Sequence, residues 1–436
     1  MARTDSLGHF LTDVADAIRT KGGTSATIQA SNFDTAIANL PSGGGTTEVE
    51  EKDVNFYDYE GTIVHSYTKA EFLALESLPE NPTHEGLVAQ GWNWSLSEAK
   101  TYVNSYGKLD IGQMYITDDG KTRVYINLID SNRLAPRFGV AVNGSALIEW
   151  GDDTTSTITG TSLNTTIYTQ HIYSTIGKYI ITISSEDEIA FYSSSSRTPI
   201  LTLDGNTGGL DVYTSSIYKF EAGSNLKKIS VNMFNSCSCL ESVTFHNNIS
   251  ISPNDNLNCF ADCYSLKYVT IPSSVTTMGS RLFSNSSLEI VSLPNNLSQN
   301  DGASEFYKNY NIKRICLTTK ESTPASNYYQ CYSLKEIIGE YYNATSSSFR
   351  ECKSLATLKF SAETMYVLST TFYNCNSIKI FDFTECTSVP SLGNTNAFTG
   401  ISSDAKIVVP DSLYDSWIVA NNWSTMANYI VKESEA

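Results

Sequence analysis

Across residues 217–436 one phrase of apolar and polar positions keeps returning: an aromatic, a Cys or Asn three residues on, then three spaced apolar residues (F-x-x-C/N-x-x-L-x-x-V-x-L). The aromatic position is Phe220, Phe234, Phe260, Phe283, Phe306, Tyr328, Phe349, Phe372 and Phe398, with most intervals between 21 and 26 residues. The apolar triplets include Leu226/Ile229/Val231, Leu240/Val243/Phe245, Leu266/Val269/Ile271, Ile312/Ile315/Leu317 and Leu355/Leu358/Phe360. A period in this range predicts a solenoid. Each repeat supplies a short strand and a turn, cannot bury its apolar face alone, and buries it against the next copy. The interval from Phe220 to Phe234 is only 14 residues and the repeat at 283 is one residue short, so an irregular first turn is expected.

The first half of the chain follows other patterns. Leu7, Leu11, Val14 and Ile18 form one narrow helical stripe, and a second short helix is expected at about 31–39, before the linker "PSGGG". Two such short helices make a poor core by themselves. The stripe therefore predicts self-association, a trimer being favoured, or docking on another subunit, with packing on the chain's own following domain as the alternative. Residues 1–45 are read as a helical N-terminal anchor with a Gly-rich linker.

Residues 46–130 read as a small α+β domain. It has a hairpin turning at Glu60-Gly61, a helix capped by Thr68, another capped by Ser95 or Ser97, and a second hairpin around Asp119-Gly120. Trp92 and Trp94 read as core anchors in preference to a sugar-stacking pair. Residues 131–216, with "ALIEWGDDTT" and "QHIYSTIGKYIITI", alternate as a small β-sandwich. The fold class is mainly β with short helices: anchor, α+β domain, sandwich, and a repeat solenoid over 217–436.

Composition narrows the chemistry. The formal net charge of -17 argues against nucleic acid and anionic membrane as partners. No window approaches 18 consecutive apolar residues, and "MARTDSLGHFLTDVADAIRTKGG" lacks the apolar stretch of a signal peptide. Synthesis in a cytoplasm is expected, with any exit by a route other than a cleaved signal. All nine cysteines follow residue 236, and free thiols are expected. Cys237, Cys263, Cys331, Cys352 and Cys375 fall three after the aromatic, with Asn309 in that place once. Stacking turns them into a ladder in a half-polar niche, not a zinc site, because they lie more than 20 residues apart without CxxC pairs. Asp152 and Asp153 share one turn and are too few for a calcium site. The five histidines fall in no HExxH, and there is no G-x-S-x-G or Walker loop. No catalytic residue, metal or cofactor is assigned, and the chain is read as a non-enzyme.

Several stretches resemble three known families. "SLKYVTIPSSVTTMGSRLFSNSSLEIVSLP" at 265–294 resembles the BspA-type leucine-rich repeats, a likeness running over about 220–431. "AKIVVPDSLYDSWIVANNWSTMANYIV" is similar to the C-terminal cap of such arrays, a last strand and a short helix bearing Trp417 and Trp423. Trp150-Gly151-Asp152-Asp153 with His171, Tyr173 and Gly177-Lys178-Tyr179 resembles a PKD-type, immunoglobulin-like module, in which such residues are structural. "LTDVADAIRTKGGTSATIQASNF" with "VNFYDYEGTIVHSYT" resembles N-terminal segments of tail and baseplate-associated proteins of phages of Gram-positive gut bacteria, over about 1–130.

Together these resemblances imply a virion-associated tail or baseplate protein that recognises the bacterial surface through its solenoid. Its partners would be a cell-surface glycan or protein and other tail subunits. The rivals are a purely structural baseplate component, a bacterial surface adhesin, and a tail-associated glycan depolymerase. For recognition, Tyr268 and Arg314 are candidates on the strands, and Tyr307, Tyr310, Tyr328 and Tyr329 on the turns. Tyrosine offers contact area and a hydroxyl at low entropic cost.

Overall fold

The computed structural model describes residues 49–191, 201–202 and 214–436, apart from 230–231, 252–257, 277, 296, 298–303, 319–321 and 324. The Leu7/Leu11/Val14/Ile18 stripe and the expected anchor lie outside the described residues. By contact the chain divides into Met1–Glu50 and a second compact unit, Glu51–Ala436.

The second unit opens with β1 (Val54–Tyr57) and β2 (Ile63–Tyr67), an antiparallel pair turning through Gly61 at φ +85°. Helix α1 (Lys69–Ala74) starts at Thr68 and α2 (Leu96–Tyr106) at Ser95, each with a reciprocal capping box, to Glu71 and Glu98. Strands β3 (Leu87–Trp92) and β4 (Leu109–Thr117) complete a sheet in the order β2-β1-β4-β3. Trp92 and Trp94 are buried in the core, as their sequence context suggested.

The second expected hairpin does not form. Strand β5 (Thr122–Leu128) pairs with other strands, in another sheet. Thr117 Oγ1 donates to the Lys121 carbonyl, and the chain crosses between the two sheets over 118–121.

Nor, among the described residues, does 131–216 form a sandwich of two separate sheets. The strands β6 (Arg137–Glu149), β7 (Thr155–Gln170), β8 (Gly177–Ser184), β9 (Ile189–Phe191) and β10 (Leu201–Thr202) follow β5. Next come β11 (Ile217–Glu221), β12 (Leu226–Ile229), β13 (Ser242–Thr244) and β14 (Ser250–Ile251). All belong to one ten-stranded sheet whose main path runs β13-β11-β5-β8-β6-β9-β12-β14. Strands β5, β8, β6 and β9 thus bridge the two strand ladders at the start of the solenoid, and one apolar core continues from Val124 to Ile430. The residues around Trp150 are turn and core: Tyr173 Oη donates to the Trp150 carbonyl at 3.0 Å, and His171 stacks on Trp150 with its Nε2 2.8 Å from Asp152 Oδ2.

Each solenoid turn contributes three hydrogen-bonded ladders. The front ladder carries strands of three or four residues, from β13 through Tyr268–Thr270, Ile290–Ser292, Arg314–Cys316, Glu336–Ile338, Thr357–Lys359 and Ile380–Asp382 to Lys406–Val409 and Ile430–Lys432. A second ladder of two-residue strands includes Asn343–Ala344, Tyr366–Val367 and Ser391–Leu392. The third runs through the turns, where Phe349 N–H donates to Thr371 and Glu351 N–H to Tyr373. In seven successive turns the residues two before and two after the aromatic have φ between +54° and +63° or slightly beyond, as at Asn258/Asp262 and Ser347/Glu351. This left-handed pair aims the turn's N–H groups at the next repeat.

The aromatics stack as a column. From Phe234 through Phe260, Phe283, Phe306, Tyr328 and Phe349 to Phe372, centroids lie 5.3–5.6 Å apart. Phe220 is not part of it: it sits on β11 and meets Phe234 edge-on, which accounts for the short first interval. At the far end Trp417 and Trp423 are fully buried, with Trp423 Nε1 donating to the Pro390 carbonyl at 2.7 Å.

The cysteine niche is a thiol donor site. Cys263, Cys331, Cys352 and Cys375 each donate Sγ–H to the backbone carbonyl of the preceding repeat's aromatic, at 2.8–3.1 Å. Where the repeat carries Asn309, its side-chain amide lies 3.1 Å from the Ser286 hydroxyl, which fills the niche one turn earlier. Burial pushes the Cys386 thiol up to about 11 and those of Cys259 and Cys375 to about 12. Only Cys239 of the nine is exposed. A thiol reagent at pH 8 should therefore modify one cysteine rapidly in the folded chain and nine after denaturation. Because these folded-state values lie above the ordinary thiol value of about 8.5, their contribution to stability is complete below that pH. It is lost as pH rises toward 11–12, so urea midpoints should fall steeply above about pH 9. Rapid reaction of several thiols in the native chain would contradict the buried ladder.

Candidate ligand-binding surface

Within each front strand the middle residue points into the solenoid and its neighbours point out. Along the first five front strands that outer face is not free: the sheet of the α+β domain lies on it. Tyr115 N–H donates to the Phe245 carbonyl and Thr117 N–H to Ala222. Asn93 Nδ2 reaches the Ile271 carbonyl at 3.0 Å, Trp94 Nε1 reaches Leu293 at 2.8 Å, and Tyr102 Oη reaches Ile338 at 3.1 Å. A Cβ on Gly112 would overlap the Thr270 hydroxyl and the Tyr268 hydroxyl, so glycine is what allows β4 to lie this close.

Two of the strand candidates are corrected by this arrangement. Tyr268 is 3% exposed, stacked on Tyr57 at 5.3 Å, with its hydroxyl 3.0 Å from Thr270 Oγ1. Arg314 is 4% exposed and forms a forked pair with Asp110, Nε to Oδ2 at 2.8 Å and Nη2 to Oδ1. Its Nη1 also donates to Glu51 and Glu336, and Lys108 pairs with Glu336 at 2.7 Å. Burial pulls the Arg314 guanidinium down, but the charge and hydrogen bonds of Asp110, with smaller contributions from Cys316 and Tyr57, hold it well above its ordinary value. Both residues fix one part of the chain to another and present nothing to a ligand. Tyr328 is corrected too: it is 1% exposed, because it occupies the aromatic column itself.

The remaining turn candidates come together on one edge. Tyr307 and Tyr329, each one residue after its column aromatic, stack at 4.9 Å. The next two turns extend the row: the Arg350 guanidinium lies 5.6 Å from the Tyr329 ring and 4.8 Å from the Tyr373 ring. Three residues further round each turn a second row forms, with Tyr310 stacked on Tyr332 at 5.2 Å and Lys353 Nζ 4.8 Å from the Tyr332 ring. Lys308, between the rows, lies 5.3 Å from the Tyr307 ring. Tyr310 is exposed and the others are half-buried, apart from exposed Lys353. The edge therefore offers parallel aromatic faces, hydroxyls and three cations on a chain whose net charge is negative. Tyr332, Arg350, Lys353 and Tyr373 were not singled out from the sequence, although each stands one or four residues after a column aromatic.

The front face reopens beyond the α+β domain, where Thr357, Ile380 and Lys406 are exposed. Among the described residues no group of three or more His, Cys, Asp or Glu is placed to hold a metal ion. No helix among them is long and apolar enough to cross a membrane.

A family model described as "BspA type Leucine rich repeat region" matches the chain in six copies, over residues 161–258, 256–345 and 328–418. The match begins inside β7, ahead of the first solenoid turn. No curated protein matches. Among solved structures, a leucine-rich repeat protein from Bacteroides ovatus ATCC 8483 is similar at 18% identity and a TM-score of 0.38, covering 49% of this chain and 59% of that one.

Proposed function

The chain belongs to the BspA-type leucine-rich repeat family, and from that premise we propose that it is a non-enzymatic recognition protein whose binding surface is the tyrosine and cation edge of the solenoid. The observation that carries this reading is the pair of stacked rows, Tyr307/Tyr329/Arg350/Tyr373 and Tyr310/Tyr332/Lys353. Packing alone would be served by the buried column. The outer rows add flat rings and hydroxyls that reach solvent, a surface suited to the faces of sugar rings or to a protein epitope.

In its finer form the reading is a virion-associated tail or baseplate protein that meets the host surface. It rests on the wording of residues 1–130, and residues 1–45 would supply attachment to other tail subunits. The same edge would serve a bacterial surface adhesin, with which family membership is equally compatible. Localising the chain on virions or on cell envelopes separates the two.

Single contacts of this kind fall in the millimolar to micromolar range, roughly -4 to -8 kcal/mol. Several copies on one particle raise the apparent affinity by avidity. The test is a multimerised, fluorescent full-length chain mixed with candidate host cells. Tyr310→Ala with Tyr332→Ala, and separately Arg350→Ala, should each reduce labelling at least tenfold with little change in melting temperature, since these side chains stand outside the core. Undiminished labelling by both variants would move recognition to another surface.

A further inference from the structure

A cleft of about 410 Å³ lies between α2 and the bend of the solenoid that follows the front strands, with no residue of the tyrosine edge in its lining. We propose that it is a second binding site, for a small sugar carrying a free primary amine.

One wall is a face of α2 on which Ser97, Thr101 and Ser105 recur at helical spacing. Thr101 Oγ1 donates to the Ser97 carbonyl at 2.9 Å and Ser105 Oγ to the Thr101 carbonyl at 3.3 Å. Their protons are committed to the helix, so toward the cleft these hydroxyls offer acceptor lone pairs. Tyr106, its ring tilted against that of Tyr102 at 4.8 Å, adds an aromatic face. The opposite wall brings Asn295 and Glu340. Glu98, also in the cleft, is already engaged by Ser95 and Asn295, which hold its carboxyl below the usual range. The Glu340 carboxylate makes no hydrogen bond or ion pair with any described residue, and no described lysine or arginine lines the cleft.

Acceptors, a carboxylate with no partner among the described residues and one aromatic wall select a ligand with donors, a positive charge and an apolar ring face. An amino sugar combines all three, and the volume falls within the range of small-ligand sites. The site is independent of the reading given above for the tyrosine edge, and either stands if the other fails.

The probe is glucosamine, titrated into the full-length chain and followed by saturation-transfer NMR and calorimetry, beside N-acetylglucosamine, glucose and propylamine. Glucosamine should bind in the millimolar range. Acetylation of the amine, its absence, or loss of the ring should each weaken binding at least fivefold. Glu340→Gln should do the same without altering the melting temperature, and Ser105→Trp, which fills the cleft from an exposed helical position, should abolish the signal. The proposal is overturned if glucosamine does not bind, if any of the three comparison compounds binds equally well, or if Glu340→Gln leaves the affinity unchanged.

Discussion

Replacing Arg314 by alanine should destabilise the 51–436 unit by about 3–5 kcal/mol, as breaking a buried ion pair from one side does. The guanidinium is held by Asp110 in a forked arrangement, and Asp110 itself is 1% exposed. Removing the cation leaves a buried carboxylate facing Cys316 and the Tyr57 ring with no charge to balance it. Asp110→Ala should cost about as much for the converse reason. Substituting both by apolar residues should cost much less than the sum, because neither charge is then stranded. Urea unfolding of the four chains closes this cycle. A loss under about 1 kcal/mol in both single variants would mean that water reaches the pair and that the α+β sheet docks more loosely than described. Any fall in cell labelling by Arg314→Ala should follow the unfolded fraction, since the side chain touches nothing outside the molecule.

Why Arg314 and Tyr268 read as surface residues has a physical answer. Outward positions on a solenoid strand are polar whether they face water or a polar interface, and an interface inside one chain resembles the surface in composition. Here the covering sheet meets Tyr268, Thr270, Ser292 and Arg314 with Tyr57, Asn93 and Asp110, so no apolar stripe betrays the contact. The false hairpin has a related origin. Strands β4 and β5 both suit an alternating pattern around Asp119-Gly120, but each finds its partners elsewhere in the chain, β1 and β3 for β4, β8 and β11 for β5. By contrast the repeat phrase, the two helix caps and the thiol niche were legible because each is set by neighbours in sequence or by one fixed period. The left-handed pairs around each aromatic were missed. Asn232, Asn258, Asp262, Asn285 and Asn374 carried the signal, but Arg281, Glu351 and Thr370 at equivalent places diluted it.

The clamp also sets where the solenoid should give way first. Phe349 is fully buried between Tyr328 at 5.3 Å and Phe372 at 5.5 Å, and meets Tyr341 edge-on at 5.0 Å. Phe349→Ala should remove about 3–5 kcal/mol, the usual loss for an aromatic deleted from a packed core. In a solenoid that loss acts on the interfaces between neighbouring turns. Turns before Phe349 are held from outside by the α+β sheet, through Tyr115, Asn93, Trp94 and Tyr102. The turns from Thr357 to Lys432 have no such cover among the described residues and rely on stacking and on the Trp417/Trp423 cap. Hydrogen exchange in Phe349→Ala should therefore accelerate by two orders of magnitude or more in the strands at 357–359, 380–382 and 406–409, while amides of β4 and of 268–270 keep their protection. Phe260→Ala, inside the clamped turns, should lower protection on both sides of the substitution together. If Phe349→Ala instead speeds exchange equally over the whole of 51–436, the unit unfolds as one body and the α+β sheet contributes no local reinforcement.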